Sequence, residues 1–536
     1  MALKFHDGFE TGGAEAWDAV GGTPSFPSTI LYAEQTTASA GPVAYGGNYI
    51  GQTFTVGSES ILLHSIQIYM YKNGTPGADL EVAVQGVDGS GHPDNVDITY
   101  TTILESDVGT DYAWETATFS SPVSLSASTQ YAFVCRVAGD GGNSSNYYII
   151  GVSITDLFAG GYRKSTTDSG SSWSSVTTSD VTFKLLLPIS HTGKYAMRCN
   201  STGSAVYVGK TLTGNQYRLS FYLYIASAPT ADAQLMGKHG SGWCLFLDTD
   251  RYLDVYYGIT PTKKADGTTQ LNTGTWYRIS ISTDSSENCK VYIDGNIEHS
   301  VTETGMSGGT VPTYGVFNAD VTADLYFDDF AIDGTDSTDD LGDIRTLAAR
   351  PNAEGTDQDT ATSKADGWVD STETAVAKYT ELDTSPPSTA SYNLCDNTSI
   401  FRYSVNLDNC GSGNLSGIGA SDTIHAVHFM WYYETEGGGP DDYGIRIRCS
   451  DDGGSPLTND NIDDPKDPTW YAGTDKYHAD TPVGANAWTQ AYVNSLEMGM
   501  AAITSGGKGI WWYEAYAMVA YTPSAVTEYQ KRIIFI

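Results

Sequence analysis

Two stretches decide the fold: Leu3-Lys-Phe-His-Asp-Gly-Phe-Glu10 near the start, and Ala323-Asp-Leu-Tyr-Phe-Asp-Asp-Phe-Ala-Ile-Asp333 about 320 residues later. Both have the short, largely alternating pattern of β-strands. We expect them to be neighbouring strands of one sheet, with Phe9 and Phe327 in a common hydrophobic core. If they pair, a second domain is inserted inside the first.

A period of two runs through most of the chain. Ile66, Ile68 and Met70 alternate with Gln67 and Tyr69. Short strands of this kind, separated by turn residues, indicate antiparallel sandwiches. The predicted fold class is therefore all-β, with three antiparallel β-sandwich or jelly-roll domains and one of them inserted within another. One short helix is predicted over residues 486–498, capped by Asn486.

Composition excludes several classes of protein. The 536 residues carry 28 Lys and Arg against 64 Asp and Glu, a formal net charge of −36. Such a surface repels phosphate backbones, so we expect no nucleic-acid partner. No run approaches the ~18 consecutive apolar residues of a membrane span, so no membrane insertion is expected. The first residues lack the apolar run of a secretory signal, which argues against export by the general route.

The seven cysteines stand singly and form no CxxC motif. An odd count at wide spacing favours reduced, buried thiols in a protein folded inside a cell. A Cys395–Cys410 pair is left open, and a zinc site is not expected.

The first domain, predicted over residues 1–28 and 189–335, resembles concanavalin-A/laminin-G-like lectin domains. The residues that carry the resemblance are Gly274-Thr-Trp-Tyr-Arg-Ile-Ser-Ile and Val291-Tyr-Ile-Asp-Gly295, a recurrent hairpin there. Jelly-roll sugar-binding modules also start with a D/N-x-FE strand and end with a hydrophobic-DD-hydrophobic strand beside it, similar to the two opening stretches.

Residues 29–188 resemble the choice-of-anchor jelly rolls of surface and phage proteins, which are accessory sandwiches without established chemistry. Their order of segments includes Gly51-Gln-Thr-Phe-Thr-Val and Trp114-Glu-Thr-Ala-Thr-Phe. An acidic linker is predicted at residues 336–343.

Residues 344–525 resemble a C-terminal β-sandwich of phage virion proteins. The motifs are Arg350-Pro-Asn-Ala-Glu-Gly355 and Trp488-Thr-Gln-Ala-Tyr-Val-Asn-Ser-Leu496, in the order that family has after a lectin-like domain. Residues 526–536 are predicted to be a tail that donates an assembly strand through Ile533, Ile534, Phe535 and Ile536.

The first site predicted is a structural calcium site formed by Asp7, Glu10, Asp328 and Asp329. If the two strands are neighbours, their carboxylates converge and repel one another unless a cation lies between them. Strand alternation places Asp328 and Asp329 on opposite faces, so one of the two is expected to be a direct ligand. The alternative is a set of solvated carboxylates that guard an edge strand.

The second site predicted is a glycan platform of Trp243, Asp248, Tyr252, Tyr256 and Tyr257 around the lectin-like strands. Sugar rings stack on exposed aromatic rings, and their hydroxyls need polar partners. The alternative is that these tyrosines cover a sandwich surface.

No catalytic residues are predicted. The lectin-like glycosidases carry ExDxE on one strand, which is missing here, and no Gly-x-Ser-x-Gly elbow occurs. With the resemblances, this predicts a non-enzymatic bacteriophage virion protein, a tail or capsid appendage or decoration that binds carbohydrate or another host surface. Expected partners are other virion proteins and copies of itself, with a trimer as first guess and the virion surface as location. A secreted or cell-surface adhesin and a divergent glycosidase are the alternatives.

Overall fold

The protein is described from a computed structural model. The described residues are 3–10, 12–14, 16–39, 41–57, 60–212, 217–238, 243–257, 262–302, 312–316, 320–355, 382, 393–395, 401–435, 443–448, 457–461, 469–471, 477–478, 481, 486–502 and 510–524. The predicted assembly residues Ile533, Ile534, Phe535 and Ile536 lie outside these ranges. No helix in the described ranges is long and apolar enough to cross a membrane.

The described chain is all-β with one short α-helix, which confirms the predicted fold class. It divides into two compact units, one of Met1–Pro27 with Ser190–Tyr529 and the other containing Ser28–Ile189.

The first unit contains a sandwich of two seven-stranded sheets. Its strands are β1 (Leu3–Asp7), β2 (Ala19–Gly21), β15 (Met197–Thr202), β16 (Val206–Gly209), β17 (Arg218–Ser227), β18 (Ala233–Lys238), β19 (Trp243–Leu247), β20 (Leu253–Tyr257), β21 (Thr262–Ala265), β22 (Trp276–Thr283), β23 (Asn288–Ile293), β24 (Asn296–Thr302), β25 (Pro312–Val316) and β26 (Thr322–Asp333). One sheet has the order β1-β26-β17-β22-β23-β24 with β15 also on β26, and the other has the order β2-β16-β25-β18-β19-β20-β21.

The predicted pairing of the first and last strands is confirmed. Strand β1 runs antiparallel to β26, with Asp7 opposite Phe330 and Phe5 opposite Ile332. Phe9 and Phe327 are fully buried members of one core cluster. Alternation supplies this core, because β17 directs Leu219, Phe221, Leu223 and Ile225 into it.

The same unit contains a second sandwich. Its elements are β27 (Arg345–Ala349), β28 (Pro351–Glu354), β29 (Asn393–Cys395), β30 (Phe401–Leu407), β31 (Thr423–Thr435), β32 (Tyr443–Arg448), β33 (Leu457–Asn461), β34 (Thr469–Tyr471), β35 (Tyr477–His478), α1 (Gln490–Val493), β36 (Glu497–Ala502) and β37 (Ile510–Thr522). One sheet has the order β27-β37-β31-β34, with β29 on β37 and β35 on β31, and the other has the order β28-β30-β36-β32-β33. The two sandwiches of this unit share buried contacts, since Met430, Tyr516 and Met518 belong to the core cluster of the first.

The predicted helix is much shorter than expected and starts later. Helix α1 has four residues, and its cap is Thr489, whose side chain accepts from the Tyr492 N–H. Asn486 is therefore not the cap. Trp488 and Leu496 are buried as the apolar pattern predicted, but strand β36 begins at Glu497, so the chain has left the helix by then.

The second unit is a sandwich of its own. Its strands are β3 (Thr29–Gln35), β4 (Val43–Ala44), β5 (Tyr49–Thr55), β6 (Ile61–Asn73), β7 (Leu80–Val87), β8 (Pro93–Ile103), β9 (Ala113–Leu125), β10 (Gln130–Val137), β11 (Tyr147–Ile150), β12 (Arg163–Thr166), β13 (Ser174–Val176) and β14 (Phe183–Pro188). The sheets have the orders β13-β12-β5-β10-β7-β8 and β3-β14-β6-β11-β4, with β9 paired to β6. Ile66, Ile68 and Met70 are fully buried in its core.

Four cysteines, at positions 135, 199, 244 and 289, are buried free thiols, and Cys410 is a partly buried free thiol. The open Cys395–Cys410 pair is therefore not formed. Burial raises the pKa of the Cys244 thiol to about 11, so this side chain stays protonated and unreactive.

Candidate functional site

A β-bulge in β26 brings two of the predicted calcium residues together. Ser220 lies opposite Ala331 and Tyr222 opposite Asp328, so Asp329 and Phe330 share the space of one residue on β17. Asp329 takes a positive φ of 49°. The bulge interrupts the alternation, and Asp328 and Asp329 both reach the segment that contains His191. The prediction that these two carboxylates point to opposite faces is therefore wrong.

Main-chain and ring N–H groups hold both carboxylates. Asp328 Oδ2 accepts from the N–H groups of His191 at 2.7 Å and Thr192 at 3.1 Å, and its Oδ1 accepts from Asp329 at 2.7 Å. Asp329 Oδ1 accepts from the N–H of Thr346 at 2.8 Å, and its Oδ2 lies 2.6 Å from His191 Nδ1. Hydrogen bonds of this kind satisfy buried carboxylates without a cation.

Glu10 meets the same segment. Its Oε1 and Oε2 lie 3.0 and 3.1 Å from the Lys194 N–H, which donates to them. The close approach of the Glu10 carboxylate to this segment requires glycine at position 193. Gly193 has a φ of +68°, and an added Cβ there would lie 2.0 Å from Glu10 Oε1.

Asp7 is held elsewhere. Its Oδ1 accepts from the Phe9 N–H at 2.8 Å and its Oδ2 from Trp17 Nε1 at 2.6 Å. The structure therefore places Glu10, Asp328 and Asp329 around residues 191–194, whereas Asp7 fixes the turn that follows β1.

Burial controls the protonation of this carboxylate cluster. Burial raises the pKa of Glu10 to about 8, although the Lys194 N–H and the Arg350 cation act in the opposite direction. Burial, followed by repulsion from Asp329 and Glu10, raises the pKa of Asp328 well above its usual range. Arg350 supplies positive charge by donating to Glu514 Oε1 and to the Glu10 carbonyl, both at 2.8 Å.

Within the described residues, no group of three or more His, Cys, Asp and Glu side chains is arranged so that it could hold a metal ion. The N–H donors occupy positions around the carboxylate oxygens where calcium would need free oxygen ligands. Calcium binding at Asp7, Glu10, Asp328 and Asp329 stays a prediction.

The predicted glycan residues do not form one exposed platform. Trp243 lies on β19 inside the core, with 5% of its surface exposed. Asp248 caps a hairpin turn by accepting from the N–H groups of Asp250 and Tyr252. Tyr256 is half-buried, with its ring 4.4 Å from that of Phe246 and its hydroxyl 3.2 Å from Asp232, and Tyr257 is half-buried against the core.

Sequence reasoning missed the outer face of the seven-stranded sheet that contains β1 and β26. Residues 336–343, predicted as a linker and named here the acidic strap, lie along this face. Arg278 Nη1 and Nη2 donate to the two carboxylate oxygens of Asp340 at 2.8 and 2.7 Å, and the Tyr222 hydroxyl donates to Asp343 at 2.6 Å. The Tyr292 hydroxyl donates to the Thr338 carbonyl at 2.6 Å.

These donors come from three adjacent strands, β17, β22 and β23. Ser282 of β22 adds a fourth bond, to the Asp339 carbonyl at 2.7 Å. Alternation gives the signal that could have found them, since Tyr222, Arg278 and Tyr292 are the outward partners of core residues.

Three carboxylates of this face are paired with arginines. Asp324 pairs with Arg198, Asp333 with Arg218 and Asp340 with Arg278. Because an arginine holds each of them, these three carboxylates do not supply the free nucleophilic carboxylate that glycoside hydrolysis requires.

Residues 200–334 match the concanavalin A-like lectin/glucanases superfamily. None of the curated proteins matches the chain. Among solved structures, the receptor binding domain of botulinum neurotoxin C/D mosaic serotype is similar at 17% identity and a TM-score of 0.22, over 27% of this chain and 40% of that one. The cellulose induced protein Cip1 is similar at 16% identity and a TM-score of 0.22, over 27% of this chain and 83% of that one. The botulinum neurotoxin serotype D binding domain is similar at 11% identity and a TM-score of 0.22, over 59% and 87%. The chain thus spans less than half of the first of these structures, and no residue role is transferred from any of them.

Proposed function

We propose that this chain is a non-enzymatic binding protein of a bacteriophage virion, in a tail or capsid appendage. In this proposal the lectin-like part binds carbohydrate or another component of the host surface. The match of residues 200–334 to a superfamily of lectins and glucanases supports two candidate functions for this part, carbohydrate binding and carbohydrate hydrolysis.

The ion pairs of the outer sheet face are the observation that favours binding. Asp324, Asp333 and Asp340 each meet an arginine, and the acidic strap occupies the donors of three strands. A glycosidase needs two carboxyl groups in contrasting protonation states on either side of the scissile bond.

The phage location rests on the order of the Arg350-Pro-Asn-Ala-Glu-Gly355 and Trp488 motifs after a lectin-like domain. The subunits are proposed to form a homo-oligomer with other virion proteins around it. A trimer is the first candidate, and the solution mass measured by light scattering tests it: a monomeric mass contradicts the oligomer.

Electron microscopy of the source particles with a labelled antibody against the chain tests the location. We expect label on the tail or capsid surface, and particles without label would reject the virion assignment. A panel of polysaccharides tests the activity: we expect binding without release of reducing sugar. Sugar release that disappears on Asp324→Asn would instead support the glycosidase.

A further inference from the structure

Four aromatic side chains lie together on the outer face of the sandwich formed by residues 28–189. These residues, named here the aromatic ridge, are Tyr69, Tyr71, Tyr112 and Trp114, and all four are half-buried. The ring centroids of Tyr69 and Tyr112 are 5.1 Å apart, those of Tyr71 and Tyr112 4.5 Å, and those of Tyr69 and Trp114 5.3 Å. Tyr112 stacks on Tyr69 and meets Tyr71 edge to face, so the rings form one aromatic cluster.

The ridge is not part of the core. Strand β6 directs Ile66, Ile68 and Met70 into the interior, where they are fully buried, so Tyr69 and Tyr71 point to the opposite side of the sheet. Trp114 on β9 is the register partner of Tyr69. Large aromatic rings in a sandwich are usually buried in its core. Here the four rings lie on the opposite face of the sheet, outside the core.

Polar groups surround the rings and are largely free to bind. The Lys184 ammonium lies 4.4 Å from the Trp114 ring centroid, and it makes no ion pair with any residue that the structure describes. Among the described residues, the hydroxyls of Tyr69 and Tyr71 and the indole N–H of Trp114 have no hydrogen-bond partner. Gln67 donates to Thr116 at 3.1 Å beside them.

We propose that the aromatic ridge binds a neutral polysaccharide built of pyranose rings. The C–H face of a pyranose packs on aromatic rings, and its hydroxyls need donors and acceptors close by. Lys184, Tyr69, Tyr71 and Trp114 supply such donors. The net charge of −36 disfavours a polyanion, which selects the neutral class. This site lies outside the lectin-like part, so it does not depend on the function proposed for that part.

Affinity electrophoresis of the full chain tests the proposal, with mixed-linkage β-glucan, xyloglucan and galactomannan as separate probes in native gels. We expect at least one probe to retard the wild-type chain, in a manner insensitive to salt because no charge is exchanged. Trp114→Ala and Tyr69→Ala should weaken the retardation by about tenfold, the effect of removing one ring contact. Trp114→Phe keeps a ring and should retain most of the binding.

Tyr100→Ala is the matched control, because Tyr100 lies on β8 of the other sheet and is 55% exposed. It should behave as the wild type, and equal melting temperatures of all variants exclude unfolding as the cause. A wild-type chain that none of the three gels retards overturns the proposal. Retardation that Trp114→Ala and Tyr69→Ala leave unchanged also overturns it, while keeping a carbohydrate function for the lectin-like part.

Discussion

His191 and Asp329 are 138 residues apart in the sequence, and the Nδ1 atom of the histidine lies 2.6 Å from Oδ2 of the aspartate. The histidine ring also stacks on Tyr222 with a centroid distance of 3.4 Å. The other oxygen of Asp329 accepts from Thr346 at the start of the second sandwich. One buried carboxylate thus joins three distant parts of the first unit.

Replacing Asp329 with alanine should lower the free energy of unfolding by about 3 kcal/mol, because His191 and the Thr346 N–H lose a buried partner. Asp329→Asn should cost less, since asparagine keeps an acceptor and tolerates the positive φ. Urea unfolding followed by tryptophan fluorescence measures both. Asp156→Ala, at an exposed position, is the control, and equal losses for Asp156→Ala and Asp329→Ala would contradict the assigned role.

The stability of the first unit should fall as the pH rises from about 6.5 to 8. Glu10 has a raised pKa of about 8 in the folded chain and an ordinary value of 4.5, so the folded chain holds an extra proton between these values. Unfolding releases that proton, and a higher pH therefore favours unfolding by about 1.4 kcal/mol per pH unit. Asp328, whose pKa is also raised, acts in the same direction.

His6 has the opposite effect at lower pH. Burial lowers its pKa from 6.5 to about 4, so its contribution is present above 6.5 and is lost as the pH falls. The two slopes offset each other between about 4.5 and 6.5. Urea unfolding at pH 6 to 9 measures the effect, with Glu10→Gln as the variant that should flatten the slope. A slope that Glu10→Gln leaves unaltered would refute the assignment.

Asp340→Asn should release the acidic strap from the sheet. The substitution removes the bidentate Arg278 pair, at a cost of about 2 kcal/mol for hydrogen bonds to a charged group. Cleavage within residues 336–343 by an aspartate-directed protease should accelerate more than tenfold, because it follows the opened population. Asp336→Asn, which removes one exposed bond to the Ser285 N–H, should change the rate little. Similar rates for the two variants would argue against a docked strap.

The calcium proposal predicts that a chelator lowers the melting temperature of the wild-type chain. It also predicts that Asp328→Asn abolishes this sensitivity, because one ligand of the ion is lost. Differential scanning fluorimetry with and without EDTA, followed by added calcium, measures the effect. Superimposable wild-type curves would reject a bound ion and leave the N–H donors as the sole support of the cluster.

The sequence predicted the features that depend on local alternation. The pairing of β1 with β26 and the shared core of Phe9 and Phe327 follow from short strands whose apolar residues must be buried on one side. Regular alternation could not predict the bulge at Asp329, because an extra residue is a tertiary accommodation. His191 was missed because no sequence motif marks it and only the folded chain brings it next to β26.

The acidic strap and the glycan residues show a second limit. A run of aspartates is usually solvated, and the partners that bind this one, Tyr222, Arg278 and Tyr292, lie 46 to 121 residues away. Trp243 is predicted to lie in an exposed glycan platform, whereas strand β19 is buried over its whole length. Residue type indicates chemistry, but burial decides whether a ligand can reach it.

The pairing of Asp7 with Phe330 also sets the order of events during synthesis. When β1 leaves the ribosome, its partner β26 has not yet been synthesised. Phe5 and Phe9 therefore cannot be buried until most of the chain has been made. Residues 28–189 can complete their own sandwich in that interval, because domains generally fold as units. Closure of the first sheet is therefore a late step that joins the two ends of a long loop, and it is there that slow folding and association between nascent chains should concentrate.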